Sequence, residues 1–218
     1  MDNHGKEPGQ NDPPFTPRGV NHVALVCRDM ARTVAFYRDV LGLPLVKTIE
    51  LPDGMGQHFF FACGERATIA FFWFPDSPAA APGIASAPGR PDRGSLVSAH
   101  GSMNHLALDV APEEIDACVT RLRAAGVDCT EVANHDDSEY GISEEPHDGT
   151  FVRSVYFLDP DGILLELAAW TRPFTAADVR HTPATAARAA RTHEADGATA
   201  DGATAVADAA AAAAAVGA

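Results

Sequence analysis

A five-residue motif occurs twice in this chain, and the repeat constrains the fold more than any other feature. Residues 21–25 read Asn-His-Val-Ala-Leu and residues 104–108 read Asn-His-Leu-Ala-Leu. Self-similarity at a long spacing is typical of two copies of one structural unit. Each copy carries a metal-competent histidine, His22 or His105, at the same position. The repeat therefore predicts two modules that come together around a shared site.

The first copy opens a strand–helix–three-strand pattern. Residues Val20–Val26 alternate and are rich in β-branched side chains, which predicts a strand with His22 on one face. Asp29 is a helix cap, and apolar residues recur at helical spacing from Met30 to Leu41, after which Gly42 ends the helix. Turn sequences separate the three strands that follow, at Leu45–Leu51, Gln57–Cys63 and Thr68–Phe74.

The second copy opens the same order of elements. A strand at Met103–Val110 precedes a helix that begins at Pro112 and ends at Gly126. A polar, acidic loop is predicted over residues 133–150. The remaining strands are predicted at Val127–Val132, Phe151–Leu158 and Ile163–Trp170. The sequence thus predicts an α+β fold of paired βαβββ modules.

Composition divides the chain and excludes some partners. We expect a flexible lead (1–17), one domain over 18–172 and a low-complexity, Ala-rich tail (173–218) with no assigned function. Within the domain, a Pro- and Gly-rich linker (76–100) separates module one (18–75) from module two (101–172). The formal net charge of −14 argues against nucleic acid and anionic membranes as partners.

The sequence shows neither the cysteine pattern of a structural zinc site nor a targeting or membrane-spanning segment. No C-x-x-C pair occurs among the four cysteines, so a structural zinc site is not expected. The lead has no apolar run, so no signal peptide is expected, and no stretch is long and apolar enough for a membrane helix. The default expectation is a cytoplasmic protein.

A duplicated βαβββ pattern with a histidine in each first strand resembles the vicinal oxygen chelate superfamily. That superfamily includes glyoxalase I, methylmalonyl-CoA epimerase, fosfomycin and bleomycin resistance proteins and type I extradiol dioxygenases. The segment Ala35–Leu43 is also similar to the usual end of its first helix. The resemblance implies a cupped, partly closed mixed β-sheet around a central metal site, and it implies a homodimer by analogy.

A second motif resembles the signature of type I extradiol ring-cleaving dioxygenases. His147 is followed, at the spacing of that signature, by Tyr156, by the Asp159–Gly162 turn and by Glu166. The resemblance implies that His147 and Tyr156 contact the substrate and that Glu166 binds iron. The sequence departs from the signature at Glu145, where the family usually has a small or apolar residue or Asn.

The residues that could bind a metal form a known donor set. Two histidines and one carboxylate are typical of a non-haem Fe(II) oxygenase site with open positions, and His22, His105 and Glu166 supply that set. Glu166 shares its strand face with Leu164 and Ala168, and burying an ionised carboxylate there requires compensation, such as a cation. Pairing across the turn places Tyr156 near Glu166 on the neighbouring strand.

The last strand of module one contains no fourth ligand. Glyoxalase I and the epimerases usually place Glu or Gln there, but the strand of this chain contains Phe71 and Phe72 near the corresponding position. These aromatic residues, with His58 on a neighbouring strand, are candidates for the wall of a substrate pocket. The apolar run is equally compatible with core packing.

Three functional hypotheses follow from these residues. The first is an Fe(II)-dependent extradiol-type dioxygenase that cleaves a small catechol-like aromatic substrate with dioxygen. The second is a glyoxalase- or epimerase-type lyase or isomerase that uses Mn(II), Zn(II), Ni(II) or Co(II), with His58 as the base. The third is a binding or resistance protein that sequesters a small aromatic compound, with or without a metal.

Overall fold

The first module folds as a strand, a helical segment and three further strands. The computed structural model describes residues 17–176 and 178–185. The helical segment begins at Met30, and the Asp29 side chain caps it by accepting a hydrogen bond from the Arg32 backbone N–H (3.0 Å), as predicted. The elements are β1 (His22–Val26), α1 (Met30–Val34), a π-helical turn (Ala35–Val40), β2 (Leu45–Leu51), a 3₁₀ turn (Pro52–Gly54), β3 (Gly56–Cys63) and β4 (Ala67–Trp73).

The second module repeats this order with one change. Its elements are β5 (Leu106–Asp109), a 3₁₀ turn (Pro112–Glu114), α2 (Ile115–Ala124), β6 (Ala133–His135), β7 (Ile142–Ser143), β8 (Val152–Leu158) and β9 (Leu164–Trp170). β6 and β7 form a hairpin inside the segment that was predicted to be an acidic loop.

A strand was predicted at Val127–Val132, but β6 begins only at Ala133, so the predicted strand starts a few residues too early. Thr130 is the reason, because its backbone N–H donates to the Tyr156 carbonyl (2.9 Å) while its hydroxyl accepts from the Tyr156 N–H (3.0 Å). One residue therefore occupies both backbone groups of Tyr156. Regular pairing with β8 begins only at Ala133.

The strands form two mixed sheets. The first has the order β1-β4-β3-β2 and the second β5-β9-β8-β6-β7, with β1 parallel to β4 and β5 parallel to β9. The α+β class and the paired βαβββ modules are thus confirmed. The repeated pentapeptide supplies the edge strand of each sheet.

The two modules pack against each other through the sheet faces opposite the histidines. Side chains alternate along a strand, so His58 and Phe61 lie on opposite faces of β3. Phe61 is buried in a hydrophobic cluster that also contains the second module's Phe157 and Leu165. The histidine-bearing face of each sheet therefore points away from this shared core.

Tyr37 joins the modules at the centre of the shared core. Its ring lies 4.8 Å from that of Phe71 between centroids, and its hydroxyl donates to Asp159 in the β8–β9 turn (3.2 Å). Asp159 also accepts from the backbone N–H groups of Asp161 and Ile163 (2.8 Å each). A helix residue of one module is thus hydrogen-bonded to a turn of the other.

The linker between the modules is ordered by a buried cation. Arg90 is 5% exposed and forms ion pairs with Asp92 (2.6 Å) and with Asp128 of module two (2.9 Å). The Asp92 contact is a hydrogen bond, whereas the Asp128 contact is an ion pair without hydrogen-bond geometry. The linker is therefore attached to the second module.

The ends of the chain were predicted to be a flexible lead and a low-complexity tail. Residues 1–16, 177 and 186–218 of these segments lie outside the described residues, so both predictions remain predictions. In the described part of the tail, Phe174 packs against Trp170 (ring centroids 5.2 Å apart). Within the described ranges, no helix has the length and apolar character needed to cross a membrane.

We predict that Asp159→Asn removes a pH-dependent contribution to stability. Burial raises the pKa of Asp159 to about 6, against the opposing effect of its backbone hydrogen bonds. Because the folded-state pKa lies above the unfolded one, this group stabilises the fold fully below about pH 4, and the contribution is lost as pH rises through 6. Two pKa units correspond to about 2–3 kcal/mol.

The free energy of unfolding, measured in urea at pH 4.5 and 7, tests this prediction. Relative to Asp159→Asn, the wild type should have a higher free energy of unfolding at pH 4.5 than at pH 7. Asp76→Asn, at an exposed position, serves as the control and should not alter the pH dependence. An unchanged pH dependence in Asp159→Asn would contradict the assignment.

Candidate functional site

A histidine–carboxylate pair lies on the face of the second sheet that points away from the core. β5 and β9 run parallel with Ala107 aligned to Glu166. His105, which precedes β5, reaches across so that its Nε2 lies 3.0 Å from Glu166 Oε2. Ser154 of β8 donates a short hydrogen bond to the other carboxylate oxygen. Glu166 is only 6% exposed, so both of its oxygens are held by specific partners in a buried position.

The environment of Glu166 keeps this carboxylate ionised. Burial by itself raises its pKa, but the hydrogen bonds from His105 and Ser154 and the charges of His105 and His135 outweigh burial, so the net pKa is lowered. An ionised carboxylate at this depth is costly unless it is paired and hydrogen-bonded. The site thus maintains a buried negative charge that favours a cation.

The Asn of the repeated motif orients the histidine that follows it. The distance from His22 Nδ1 to Asn21 Oδ1 is 2.7 Å, and that from His105 Nδ1 to Asn104 Oδ1 is 2.9 Å. Asn104 is itself fixed because its Nδ2 donates to the Leu96 carbonyl of the linker (2.6 Å). Each Asn therefore accepts from Nδ1–H, which directs Nε2 away from the motif, as in metal-binding histidines.

His105 consequently faces a hydrogen-bond acceptor at each ring nitrogen. Nδ1 faces Asn104 Oδ1, and Nε2 faces the Glu166 carboxylate. A neutral imidazole has only one N–H donor. The arrangement therefore requires either a second proton on the ring or a metal cation between Nε2 and the carboxylate. This geometry is the structural observation that fits a metal at His105 and Glu166.

Tyr156 lies directly across the sheet from Glu166. The two residues are register partners in β8 and β9, which confirms the pairing expected from the turn. The ring of Tyr156 lies 5.9 Å from that of His105 in an edge-to-face arrangement. Burial, followed by the charge of Glu166, raises the pKa of Tyr156, so the phenol stays protonated. It presents a polar hydroxyl beside the candidate metal donors.

His135 is a member of this site that the sequence did not indicate. It falls in the segment that was predicted to be a polar, acidic loop, but it lies in β6, half-buried, with its Nε2 3.4 Å from the Tyr156 hydroxyl. Its pKa is lowered because burial outweighs the nearby Glu166 and Asp136 charges. The β6–β7 hairpin brings it to the site, and a three-residue strand bounded by polar residues has no clear periodic pattern.

His147 is held within its own loop. Its Nε2 lies 2.9 Å from Asp136 Oδ2, and its Nδ1 accepts from the Gly149 N–H (3.0 Å). The hydrogen bonds from Ser138 and, to a smaller extent, from His147 lower the pKa of Asp136 to about 2. Both ring nitrogens are thus engaged, and the predicted contact of His147 with substrate remains a prediction that requires the loop to release the ring.

The histidine-bearing face of the first sheet is separate and aromatic. His58 stacks on Phe72 (centroids 3.6 Å apart) and lies 4.2 Å from Phe60, which is itself 6.2 Å from His22. Phe72 lies on this face, whereas Phe71 is fully buried against Tyr37 on the opposite, core side of β4.

The three predicted metal donors do not meet within one chain. His22 is exposed and lies on the first sheet, whereas His105 and Glu166 are in contact on the second. Among residues 17–176 and 178–185, no group of three or more His, Cys, Asp or Glu side chains is arranged to hold a metal ion. The assignment of His22, His105 and Glu166 as ligands therefore stays a prediction.

Comparison with known proteins identifies the family. The model of the Glyoxalase/Bleomycin resistance protein/Dioxygenase superfamily matches residues 19–167, across both modules. The uncharacterized protein YaeR of Escherichia coli (strain K12) is 30% identical over 148 residues, which cover 68% of this chain and 93% of YaeR. The uncharacterized protein YwkD of Bacillus subtilis (strain 168) is 26% identical over 150 residues, covering 69% and 95%.

A solved structure agrees with this comparison. The crystal structure of SMU.1112c is 28% identical and has a TM-score of 0.50, with 70% of this chain and 99% of that chain covered. The family match spans most of the region in which the paired βαβββ modules are observed. The chain therefore belongs to the glyoxalase/bleomycin resistance protein/dioxygenase superfamily.

Proposed function

We propose that the protein is a metal-dependent enzyme of the extradiol dioxygenase type, which uses Fe(II) and dioxygen to open the ring of a catechol-like substrate. The observation that carries this proposal is the buried, ionised Glu166 beside His105, with the Tyr156 phenol directly across the sheet. The spacing of Tyr156 and Glu166 in the sequence also matches the extradiol signature. The family match alone supports only the superfamily.

The donor set suits a metal with open coordination positions. Two imidazoles and one carboxylate, from His22, His105 and Glu166, would hold a metal and leave room for substrate oxygens and dioxygen, which a bound metal would activate. Asn21 and Asn104 direct Nε2 of their neighbouring histidines outward. Ser154 fixes one oxygen of Glu166, so the carboxylate is oriented before any ligand arrives.

A second copy of the chain is proposed to supply the third donor. Because the modules pack back to back, we propose that His22 of one copy meets His105 and Glu166 of another copy. The face around His22 has the apolar character of an interface, since it carries Val26 (50% exposed) and Ile49 (37% exposed) besides Phe60 and Phe72. β1 and β5 are also edge strands, unpaired on one side within the described chain.

In this homodimer, the chain's own side chains hold and orient the substrate. The Tyr156 hydroxyl lies where it can hydrogen-bond a substrate oxygen. Phe60 and Phe72 of the facing sheet provide an apolar wall for an aromatic ring. The acidic loop around Asp136 and Asp137 disfavours strongly anionic substrates, which is consistent with a catechol.

We predict that metal binding depends on residues from two copies. In protein loaded anaerobically with Fe(II), His22→Ala and Glu166→Gln should each weaken binding by at least about 100-fold, since even supporting residues contribute roughly 10–100-fold. His100→Ala, at an exposed linker position, is the matched control. Metal content by elemental analysis and molecular mass by light scattering are the measurements.

Mixing the two variants tests the shared site directly. Mixed dimers of His22→Ala and Glu166→Gln chains contain one complete site, so mixing after partial unfolding should restore part of the metal binding. No restoration, or a monomeric protein that binds metal normally, would contradict the shared site. Metal-free protein that binds a small aromatic ligand tightly would favour the binding-protein hypothesis.

We predict that Tyr156→Phe keeps the metal but slows ring opening. Loss of one preorganised hydrogen-bonding group at the reacting oxygen should reduce kcat by about 10²–10³-fold. Oxygen uptake and the coloured ring-fission product report turnover over a panel of catechols. Tyr140→Phe, which alters a 75%-exposed tyrosine, should leave turnover unchanged. The dioxygenase assignment fails if iron-loaded wild type consumes no oxygen with any catechol.

His58 favours a second candidate, a glyoxalase- or epimerase-type lyase or isomerase. Its Nε2 is buried without a hydrogen-bond partner among the described residues. Burial, followed by the charge of His22, lowers the pKa of His58 and keeps the ring neutral, as a general base requires. Mn(II), Zn(II), Ni(II) or Co(II) would serve such an enzyme.

We predict, for this second candidate, that His58→Ala abolishes turnover while metal remains bound. Loss of a general base typically costs about 10²–10⁴-fold in rate. The measurement is proton exchange into a 2-oxoaldehyde hemithioacetal or an α-carbonyl substrate, with metal content determined in parallel. His100→Ala again serves as the control. Full activity in His58→Ala would exclude the lyase or isomerase mechanism.

A further inference from the structure

We propose that Lys47 binds a carboxylate group of the substrate, so that the preferred substrate is an aromatic diol with one acidic substituent on the side of the ring away from its hydroxyls. This inference rests on the proposed function for the location of the site, and it names the substrate class. Lys47 lies in β2 and its side chain is exposed. Among the residues that the structure describes, it takes part in no hydrogen bond or ion pair.

A β-bulge turns Lys47 toward the histidine-bearing face of the first sheet. The register with β3 shifts by one residue between Leu45 and Lys47, so that Lys47 pairs with Phe60. Without that shift, Lys47 would pair with Phe59 and its side chain would point to the core face, because successive side chains alternate along a strand. Bulges often re-aim a side chain beside an active site. The bulge in β2 therefore places a cation on the face that carries the aromatic wall.

The surroundings of Lys47 on this face are aromatic and contain no acidic group. Its partner Phe60 lies 4.2 Å from His58 between ring centroids, and His58 stacks on Phe72. No position of β1–β4 on this face holds Asp or Glu, although the whole chain has a formal net charge of −14. Ligand sites typically combine an apolar lining with a few polar groups that give specificity. An aromatic wall with one unpaired ammonium group thus suits an aromatic ring that carries a single anionic substituent.

The width of the sheet separates Lys47 from the proposed metal donors. Lys47 and Ala24 lie in one cross-strand row that passes through Phe60 and Ala70. Three inter-strand steps amount to roughly 14 Å, and His22 lies two residues from Ala24 in β1. Lys47 is therefore too distant to bind the metal or an oxygen on it. Its four-carbon stem is long enough to extend over Phe60 toward the far side of a ring held at the metal.

The acidic loop of the second sheet limits how much charge the substrate carries. Asp136 and Asp137 follow β6, on the sheet that holds Tyr156 and Glu166. Repulsion from these carboxylates disfavours a dianionic phosphate, whereas one ammonium group balances the single charge of a carboxylate. Lys47 and the acidic loop together favour a monocarboxylate.

Two other roles of Lys47 predict different measurements. β2 is an edge strand, and lysines on edge strands prevent edge-to-edge association. Alternatively, in the proposed homodimer, Lys47 pairs with Asp109, which shares the face of Glu166 on the second sheet. Loss of Lys47 causes aggregation under the first role and dissociation of the dimer under the second. Neither role produces a preference between a charged and an uncharged substrate.

Anaerobic binding measures the charge preference without turnover. The probes are 3,4-dihydroxybenzoate and its methyl ester, which differ mainly in one negative charge, and calorimetry on the Fe(II)-loaded, full-length protein gives both affinities. In Lys47→Met, the affinity for the acid should fall about 10-fold, the effect of losing a hydrogen bond to a charged group, with little change for the ester. Lys47→Arg should retain most of the affinity for the acid, and in the wild type added salt should weaken binding of the acid alone.

A matched variant and two further measurements separate the outcomes. Arg38→Met removes an exposed charge that pairs with Asp39 in the π-helical turn, and it should leave both affinities unchanged. Equal binding of acid and ester by the wild type, or binding of neither, overturns the inference. So does a Lys47→Met variant that binds both probes equally weakly while light scattering shows dissociation or aggregation.

Oxygen uptake distinguishes a failure of this inference from a failure of the proposed function. A wild type that prefers the acid in binding but consumes no oxygen with any catechol loses the dioxygenase assignment and keeps the role of Lys47. Ring opening of both probes with the same ratio of kcat/KM values in the wild type and in Lys47→Met keeps the dioxygenase assignment and overturns the role of Lys47.

Discussion

The candidate site depends on one energetic constraint, the burial of an ionised carboxylate at Glu166. Such a group is unfavourable unless its oxygens are matched by donors or a cation. Ser154 and His105 provide those partners, and each is held in turn by the fold. The linker carbonyl of Leu96 fixes Asn104, Asn104 orients His105, and His105 faces Glu166. A segment that connects two modules therefore determines the orientation of a side chain in the site.

The back-to-back packing of the modules has the largest functional consequence. Tyr37 and the aromatic residues around it bury the core faces of both sheets against each other. The two histidine-bearing faces are then directed outward, and among the described residues the two histidines of the repeated motif do not form a metal-binding group. The same packing that stabilises the monomer thus creates the requirement for a second copy in the proposed enzyme.

Most of the fold was predictable because the modules follow strong local patterns. Asp29 caps the first helix as expected, and the turn at Asp159–Gly162 sets the register that puts Tyr156 opposite Glu166. Predictions were wrong where a side chain replaces a backbone interaction or a strand is very short. Thr130 hydrogen-bonds to both backbone groups of Tyr156, so β6 begins later in the chain than predicted. The β6–β7 hairpin is too short to show a periodic pattern in the sequence.

The sequence by itself determined the repeat, the α+β class, the superfamily and two of the polar residues near Glu166, His105 and Tyr156, because these depend on residue type and short-range spacing. Only the tertiary structure decided which of the candidate site residues contact each other. It placed His135 beside Tyr156, tied His147 to Asp136 and separated His22 from His105. Those outcomes depend on how sheets and loops pack over long range, where the burial of core faces outweighs any local preference of a single side chain.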